Sequence, residues 1–197
     1  MLEIKNLTKN FGGFTALSEI NIKVDPGERL GLIGPNGSGK TTLINCVSGS
    51  IQDYEGEVEF NGQGLNGLPA HKRTGVGISR SFQIPKPFAS MTIKENLLIP
   101  LEYAAREEDL GGLSIFEEAD RLIDNLGLGE KGDELTSGLT QIEMRKLELA
   151  RAMAVKPKLL ISDEAMAGLS SSEVDDILKI LIALNEETKI TIIMIEH

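Results

Sequence analysis

The run Gly34-Pro35-Asn36-Gly37-Ser38-Gly39-Lys40-Thr41 carries the most specific chemical signal in the chain. Its order fits G-x-x-x-x-G-K-[ST], a loop that cradles phosphate groups when a strand precedes it and a helix follows. The flanks predict both: Arg29 to Ile33 reads as a short apolar strand, and Gly39 to about Ser48 as a helix. Glycines let successive backbone N–H groups converge on phosphate oxygens, and the helix turns its positive end toward the same anion. Lys40 is expected to reach the β and γ phosphates of a bound nucleotide, and the Thr41 hydroxyl to ligate Mg²⁺. The expected nucleotide-binding set is Gly34, Pro35, Asn36, Gly37, Ser38, Gly39, Lys40, Thr41 and Thr42.

A second chemical signal is Lys158-Leu159-Leu160-Ile161-Ser162-Asp163-Glu164, a buried strand that ends in two acids. Alone, such an ending is an ordinary solvated strand end. Paired with a phosphate loop, it delivers a Mg²⁺-associated carboxylate, Asp163, beside the phosphates. Glu164, one residue on, is placed to orient or deprotonate an attacking water.

The elements that must position these groups follow an α/β order. Leu2 to Asn6 and Ile20 to Val24 read as strands, Pro26-Gly27 as a turn, and Gly56 to Phe60 as an edge strand. Helical spacing then takes over at Thr92 to Ala105 and Ile115 to Leu126, joined by a polar linker, Arg106 to Ser114. The last third alternates again: helix Thr140 to Val155, strand Lys158 to Ser162, helix Ser171 to Asn185, strand Lys189 to Ile195. Ile177, Ile180, Leu181 and Leu184 fall on one helical face, as a helix covering a sheet requires. The expected fold is therefore an α/β phosphate-loop NTPase core, a mixed sheet flanked by helices with N-terminal antiparallel strands, carrying an inserted α-helical subdomain. Its boundaries are expected at 1–87 and 156–197 for the core and 88–155 for the insert.

With 197 residues, 41% hydrophobic and 25% charged, the composition is that of a folded, water-soluble chain. Lys plus Arg number 20 and Asp plus Glu 30, a formal charge of −10 that repels nucleic acid and anionic lipid at long range. Nucleic acid is therefore not an expected partner. Cys46 is the one cysteine, so no disulfide can form within the chain and a cytoplasmic setting is expected. Residues 1–10 lack a signal-peptide stretch, and the longest apolar runs, such as Ile190 to Ile195, are too short to cross a bilayer. A membrane role must come through a partner.

Taken together, these motifs resemble the ATP-binding cassette (ABC) ATPases, closest to the subfamily that powers branched-chain amino acid uptake. The likeness spans essentially the whole chain. It rests on the phosphate loop, on Gly77-Ile78-Ser79-Arg80-Ser81-Phe82-Gln83, and on Met91-Thr92-Ile93-Lys94-Glu95-Asn96-Leu97. Asp163-Glu164 with Ala167-Gly168-Leu169 and the terminal Glu196-His197 complete it. The resemblance implies Mg-ATP hydrolysis coupled to transport, integral membrane permease partners, a second ATP-binding subunit, and a peripheral place on the inner face of the cell membrane. It further implies that Gln83 contacts Mg²⁺ and the attacking water, and that His197 touches the γ-phosphate. Phe11 matches the aromatic that stacks on adenine; packing in the core is the other reading of that residue. His71, beside Lys72 and Arg73 in an expected short helix, receives no role.

The sequence departs from the family at its signature, Leu-Ser-Gly-Gly-Gln, which opens a helix and caps the γ-phosphate held by the opposite subunit. The matching positions are Leu139-Thr140-Gln141-Ile142-Glu143. Ile142 adds a branched side chain where glycine permits close approach, and Glu143 brings negative charge toward phosphate. At ~6 Å and an effective dielectric of ~20, two like charges repel by about 3 kcal/mol. The alternative placement, Leu135-Thr136-Ser137-Gly138-Leu139, starts four residues earlier and inserts about 6 Å of helix. Ala165 where proline usually follows the acid, and Ser170 where Asn or Asp is usual, depart in the same direction. These features favour a heterodimer with one competent and one degenerate site. Family members usually continue beyond the position of His197; apolar surface that such a tail covers is expected to be exposed here, with marginal stability or self-association. Two alternatives remain open: a non-transport cassette ATPase, and an ATP-binding regulatory module with little hydrolysis.

Overall fold

The computed structural model describes residues 1–81, 85–105 and 107–196. Its N-terminal layer is an antiparallel hairpin of β1 (Leu2–Phe11) and β2 (Phe14–Val24), closed at Gly12-Gly13 where Phe11 faces Phe14. Both strands run well past the expected Leu2 to Asn6 and Ile20 to Val24. The pairing slips register after Ile4 and Leu7, and Asn6 and Glu19 take left-handed backbone angles (φ 50° and 49°). Such irregularities break the period-2 alternation that marks a strand in sequence. Next to β1 lies β4 (Glu55–Phe60), and beyond it β5, a two-residue strand (Gln63–Gly64). The Gly56 to Phe60 segment, expected at an edge, is thus paired on both sides; two residues of β5 carry no periodic signal. Gly56 sits at φ +89°, and a Cβ there would meet the Asn6 and Lys5 carbonyl oxygens at 2.5 Å, so the irregular stretch of β1 requires glycine opposite it.

The second sheet is parallel. In order across it stand β3 (Arg29–Ile33), β8 (Thr191–Glu196), β7 (Leu159–Asp163) and β6 (Ile78–Ser81). The expected mixture of strand directions is thus segregated into one antiparallel and one parallel sheet. Side chains of the parallel strands alternate between two apolar clusters: Leu160 and Ile192 face one, Leu159, Ile161, Ile193 and Ile195 the other. A sheet buried on both faces needs apolar residues at nearly every position, which is what β7 and β8 supply.

The second of those clusters is closed by the N-terminal strands and by α1 (Lys40–Ser48), whose Leu43, Ile44 and Val47 are buried. The first cluster takes in α6 (Ser171–Thr188) through Ile177, Leu181 and Leu184, with Ile180 partly buried beside them, as the helical spacing required. The same cluster continues without a break into α3 (Ile93–Tyr103), α4 (Ile115–Asn125) and α5 (Gln141–Ala154). These helices and α6 all open with Ser or Thr followed three residues later by Glu: Thr92/Glu95, Ser114/Glu117, Thr140/Glu143 and Ser170/Glu173. In each, the carboxylate accepts from the N–H of the capping residue at 2.8–2.9 Å. The expected polar linker between α3 and α4 contains a 3-10 turn, Glu107–Leu110, that buries Leu110.

A short helix, α2 (Ala70–Gly75), holds Arg73, which is wholly buried. Its guanidinium donates to the Cys46 and Val47 carbonyls at the C-terminal end of α1, and to Leu65 and Leu68, at 2.6–2.9 Å. Among the described residues no helix is long and apolar enough to cross a membrane.

Candidate functional site

The loop from Gly34 to Gly39 leaves β3 and enters α1 with Lys40 as its first helical residue. Gly39 takes φ +90°, and a Cβ on it would meet the Ala16 carbonyl oxygen at 2.8 Å and Leu17 Cδ2 at 2.9 Å. Only glycine fits there, so the last glycine of the motif is fixed by contact with β2 as well as by its backbone angle. Lys40 is 7% exposed, and its ammonium donates to the carbonyls of Gly34 and Pro35. The cation is thereby drawn back along its own loop, where it lines the concave side.

That concave side is a cleft of about 240 Å³ lined by residues 36–42, by Phe11, Phe14 and Ala16, and by Glu164. Loop and strand-end acid, 122 or more positions apart in sequence, thus face one space. Gly34 and Pro35 do not line it; they hold Lys40. Phe11 is 49% exposed on the cleft wall, with the Lys9 ammonium 4.8 Å from its ring centre, so the core-packing reading of this residue is not realised. Phe14, also exposed and on the same wall, was not singled out from the sequence; a half-exposed aromatic beside a Gly-Gly turn gives no distinguishing pattern.

Asp163 ends β7 and is 5% exposed. One carboxylate oxygen, Oδ2, accepts from the Arg80 guanidinium at 2.5 Å. Arg80 stands on β6 and its other terminal nitrogen donates to Asn45 Oδ1 of α1 at 2.7 Å. Glu164 follows in a left-handed backbone conformation (φ 47°), 8% exposed, with its N–H donating to the Ile195 carbonyl at 3.0 Å. For a non-glycine residue that angle carries strain of order 1 kcal/mol or more. It turns the chain sharply, so Glu164 lines the 240 Å³ cleft while Asp163 lines a neighbouring groove of about 670 Å³ with Arg80 and Ser79. Thr41 lines both spaces.

Mg²⁺ takes hard oxygen donors and is ordinarily held by one or two protein groups plus substrate phosphates. Thr41 and Asp163 fit that description, since they border one groove and the second oxygen of Asp163 has no hydrogen bond to the protein among the described residues. Among those residues no cluster of three or more His, Cys, Asp or Glu forms an all-protein cage. Gln83 and His197 lie outside the described residues. Their described neighbours are tied down: Lys86 gives its N–H to Glu148 at 3.1 Å and its carbonyl accepts from Arg151 at 3.0 Å, both on α5, and Glu196 pairs with Ile33 at the entry to the phosphate loop.

The helix that carries the signature-like residues begins at Gln141, with Thr140 as its N-cap. Thr136–Gly138 forms a separate 3-10 turn ahead of it, so the placement on Leu139-Thr140-Gln141-Ile142-Glu143 is the one that opens a helix. Glu143 does not project its charge freely. Its carboxylate accepts from the Thr140 N–H and hydroxyl at 2.9 Å and pairs with Lys131 at 2.8 Å. Lys131, then the Thr140 N–H, hold its carboxyl down at about 2. The bare negative charge expected at this position is thus compensated within the chain; the sequence pattern gave no sign of Lys131 as partner. On the same helix Gln141 and Arg145 both donate to the Ala167 carbonyl, at 3.4 and 3.2 Å, tying α5 to the loop after Glu164. Burial holds the Arg145 guanidinium below its ordinary range, against the opposing pull of Glu148, Glu196 and Glu164.

A parallel sheet with one strand between the phosphate-loop strand and the acid-bearing strand, and a loop, a lysine and two acids gathered at its end, defines a phosphate-loop NTPase. The family model described as ABC transporter matches residues 17–167. The chain is 38% identical over 209 residues to the probable branched-chain amino acid transport ATP-binding protein LivG of Archaeoglobus fulgidus, covering 100% of this chain and 79% of that one. It is 35% identical over 208 residues to the high-affinity branched-chain amino acid transport ATP-binding protein BraF of Pseudomonas aeruginosa, covering 100% and 82%. Among solved structures, the ADP conformation of MJ1267, an ATP-binding cassette of an ABC transporter, superposes with a TM-score of 0.87 at 33% identity, covering 100% of this chain and 80% of that one. The chain belongs to the ABC transporter family and is an ATP-binding cassette of the ATPase type, with ATP and Mg²⁺ as its cofactors. Subunits of this kind work as dimers on membrane permeases.

Proposed function

We propose that this chain drives branched-chain amino acid uptake, hydrolysing Mg-ATP at the inner face of the cell membrane on permease partners. The observation that carries the chemical part is the single cleft that joins loop residues 36–42 to Glu164. In this reading the loop amides and Lys40 grip the β and γ phosphates, with Thr42 following at the helix start, and Phe11 stacks on the adenine. Thr41 and Asp163, joined by Gln83, would hold Mg²⁺, which would draw charge from the phosphates. Glu164 orients water for in-line attack on the γ-phosphate, and His197 contacts the group transferred. Catalysis then comes from positioning and charge stabilisation. The transported solute is proposed from the names of the LivG and BraF relatives. The division into a core of residues 1–87 and 156–197 and a helical arm of 88–155 belongs to the same proposal.

The second ATP-binding subunit is proposed to be a different chain. A partner's γ-phosphate would need the Thr140 hydroxyl, which here donates to Glu143, and close approach at Ile142, which carries a branched side chain. On this chain's own nucleotide face, by comparison, residues 36–42 and Glu164 line one open cleft. The test is a titration of labelled ATP with Mg²⁺ on Lys40→Ala and Glu164→Gln. Lys40→Ala is expected to weaken binding by roughly 10- to 150-fold, the worth of one charge-assisted hydrogen bond. Glu164→Gln is expected to bind normally and to lose roughly 10²- to 10⁴-fold in ATPase rate with the partner present. Undiminished affinity in Lys40→Ala would refute the site, and cooperative hydrolysis by the purified chain alone would refute the heterodimer.

A further inference from the structure

Arg80 lies in the middle of the site without a role in the reading above. It is buried on β6, with 11% of its side chain exposed, against an Asp163 side chain that is 7% exposed. One terminal nitrogen of the guanidinium takes Oδ2 of Asp163, and the other takes Asn45 Oδ1 at 2.7 Å and borders Ser48 Oγ at 3.5 Å. Asn45 and Ser48 belong to α1, the helix that begins with Lys40 and Thr41. A planar, forked cation therefore bridges the acid-bearing strand to the helix that carries the Thr41 hydroxyl, with its own strand paired directly to β7. Two carboxylate oxygens are available on Asp163, and the bridge occupies one of them.

We propose that Arg80 is a positioning residue for Mg²⁺: by clamping Asp163 to α1, it fixes the free carboxylate oxygen relative to Thr41 before nucleotide arrives. The inference rests on the assignment of Asp163 and Thr41 to Mg²⁺. Loss of an outer-shell partner of this sort typically costs roughly 10- to 100-fold in metal affinity. Arg80 also works against the metal in one respect, because it places a cation beside the site. Loss of that charge alone would tighten Mg²⁺ binding, whereas loss of the clamp would weaken it. The direction of the change therefore separates a clamp from a mere neighbouring charge. Lysine keeps the charge but gathers its donors on one nitrogen at the end of a shorter stem, in place of a fork that reaches Asp163 and Asn45 from two nitrogens, so it holds the clamp less well.

The experiment titrates MgCl₂ into the purified chain with a fluorescent, non-hydrolysable ATP analogue, for wild type, Arg80→Gln, Arg80→Lys and Asp163→Asn, each checked for cooperative thermal melting. Arg80→Gln is expected to raise the Mg²⁺ half-saturation concentration roughly 10- to 100-fold, with Arg80→Lys between it and wild type. Analogue affinity without Mg²⁺, read in the same titration, separates loss of the metal from collapse of the nucleotide pocket. An unchanged or lowered half-saturation in folded Arg80→Gln overturns the proposal, as does an equal loss with and without Mg²⁺. If Arg80→Gln does not fold, Arg80→Lys decides by the same criterion. Should Asp163→Asn itself leave Mg²⁺ dependence intact, the assignment of Asp163 fails; if it abolishes that dependence while Arg80→Gln does not shift it, only the role of Arg80 is refuted.

Discussion

Replacing Arg73 by lysine is expected to destabilise the protein severely while sparing the chemistry of the cleft. Arg73 is wholly buried, and its guanidinium makes four short bonds, all to main-chain carbonyls: Cys46, Val47, Leu65 and Leu68. Two of those carbonyls end α1, where a helix leaves its acceptors without partners and carries partial negative charge. Gly49, in the left-handed conformation that stops the helix, lies directly beneath, and a Cβ there would meet Arg73 Nε at 2.8 Å. A lysine ammonium is a single point at the end of a shorter stem, and serves two of these carbonyls at best. Two buried acceptors then remain unsatisfied, at about 1–3 kcal/mol each, or ~3 kcal/mol net after local adjustment. That is a large share of the roughly 5–15 kcal/mol that holds a typical domain together. With a urea dependence of about 2 kcal/mol per molar, the unfolding midpoint should fall by about 1.5 M. Circular dichroism during urea titration measures it, with nucleotide-analogue affinity at zero urea as the control. A midpoint shift under about 0.3 M would show that the carbonyls are served some other way and would refute the argument.

Gly39→Ala places a Cβ 2.8 Å from the Ala16 carbonyl at φ +90°, so the loop must shift; binding of an ATP analogue should fall at least about tenfold, by the ~1–2 kcal/mol of left-handed strain plus the contact, and wild-type affinity would contradict the geometry. Glu143→Gln tests the closed cap of α5. The Glu143 carboxyl is lowered from 4.5 to about 2, so its contribution is present above pH 4.5 and disappears as the pH falls toward 2. The whole shift corresponds to about 3 kcal/mol, which solvent around this ion pair reduces to ~1 kcal/mol. The stability gap between wild type and Glu143→Gln should therefore be ~1 kcal/mol at pH 7 and vanish near pH 2; a gap independent of pH would count against the cap.

The phosphate loop, the acid-ended strand and the amphipathic α6 were legible because each is written in contiguous residues: a glycine pattern, an apolar run, a helical repeat. Interruption or brevity hid other elements. The hairpin strands β1 and β2 lost their alternation at Asn6 and Glu19, and β5 is too short to have a period. In the site, residues 36–42, Phe11 and Glu164 were singled out from the sequence and line one cleft, but their supports were not singled out. Arg80, Arg73 and Lys131 act on partners 83, 26 and 12 positions away, and a cation in sequence does not announce which carbonyl or carboxylate it will meet. Glu143 was read with the right position and the wrong surroundings for the same reason: its charge was visible, its counter-ion was not.

The position of β8 has a consequence for biosynthesis. Arg29 is aligned with Ile192 across the parallel sheet, and β3 does not pair with β7; the strand between them follows every other strand of the described residues in chain order. Until it emerges from the ribosome, the two halves of the nucleotide site have no common plank, and nascent chain of some 160 residues must wait with an open seam. Pairings this distant are slow to form and leave sticky strand edges exposed meanwhile. Assembly of the ATP-binding machinery thus waits for Thr191 to Glu196, which slide in like a keystone.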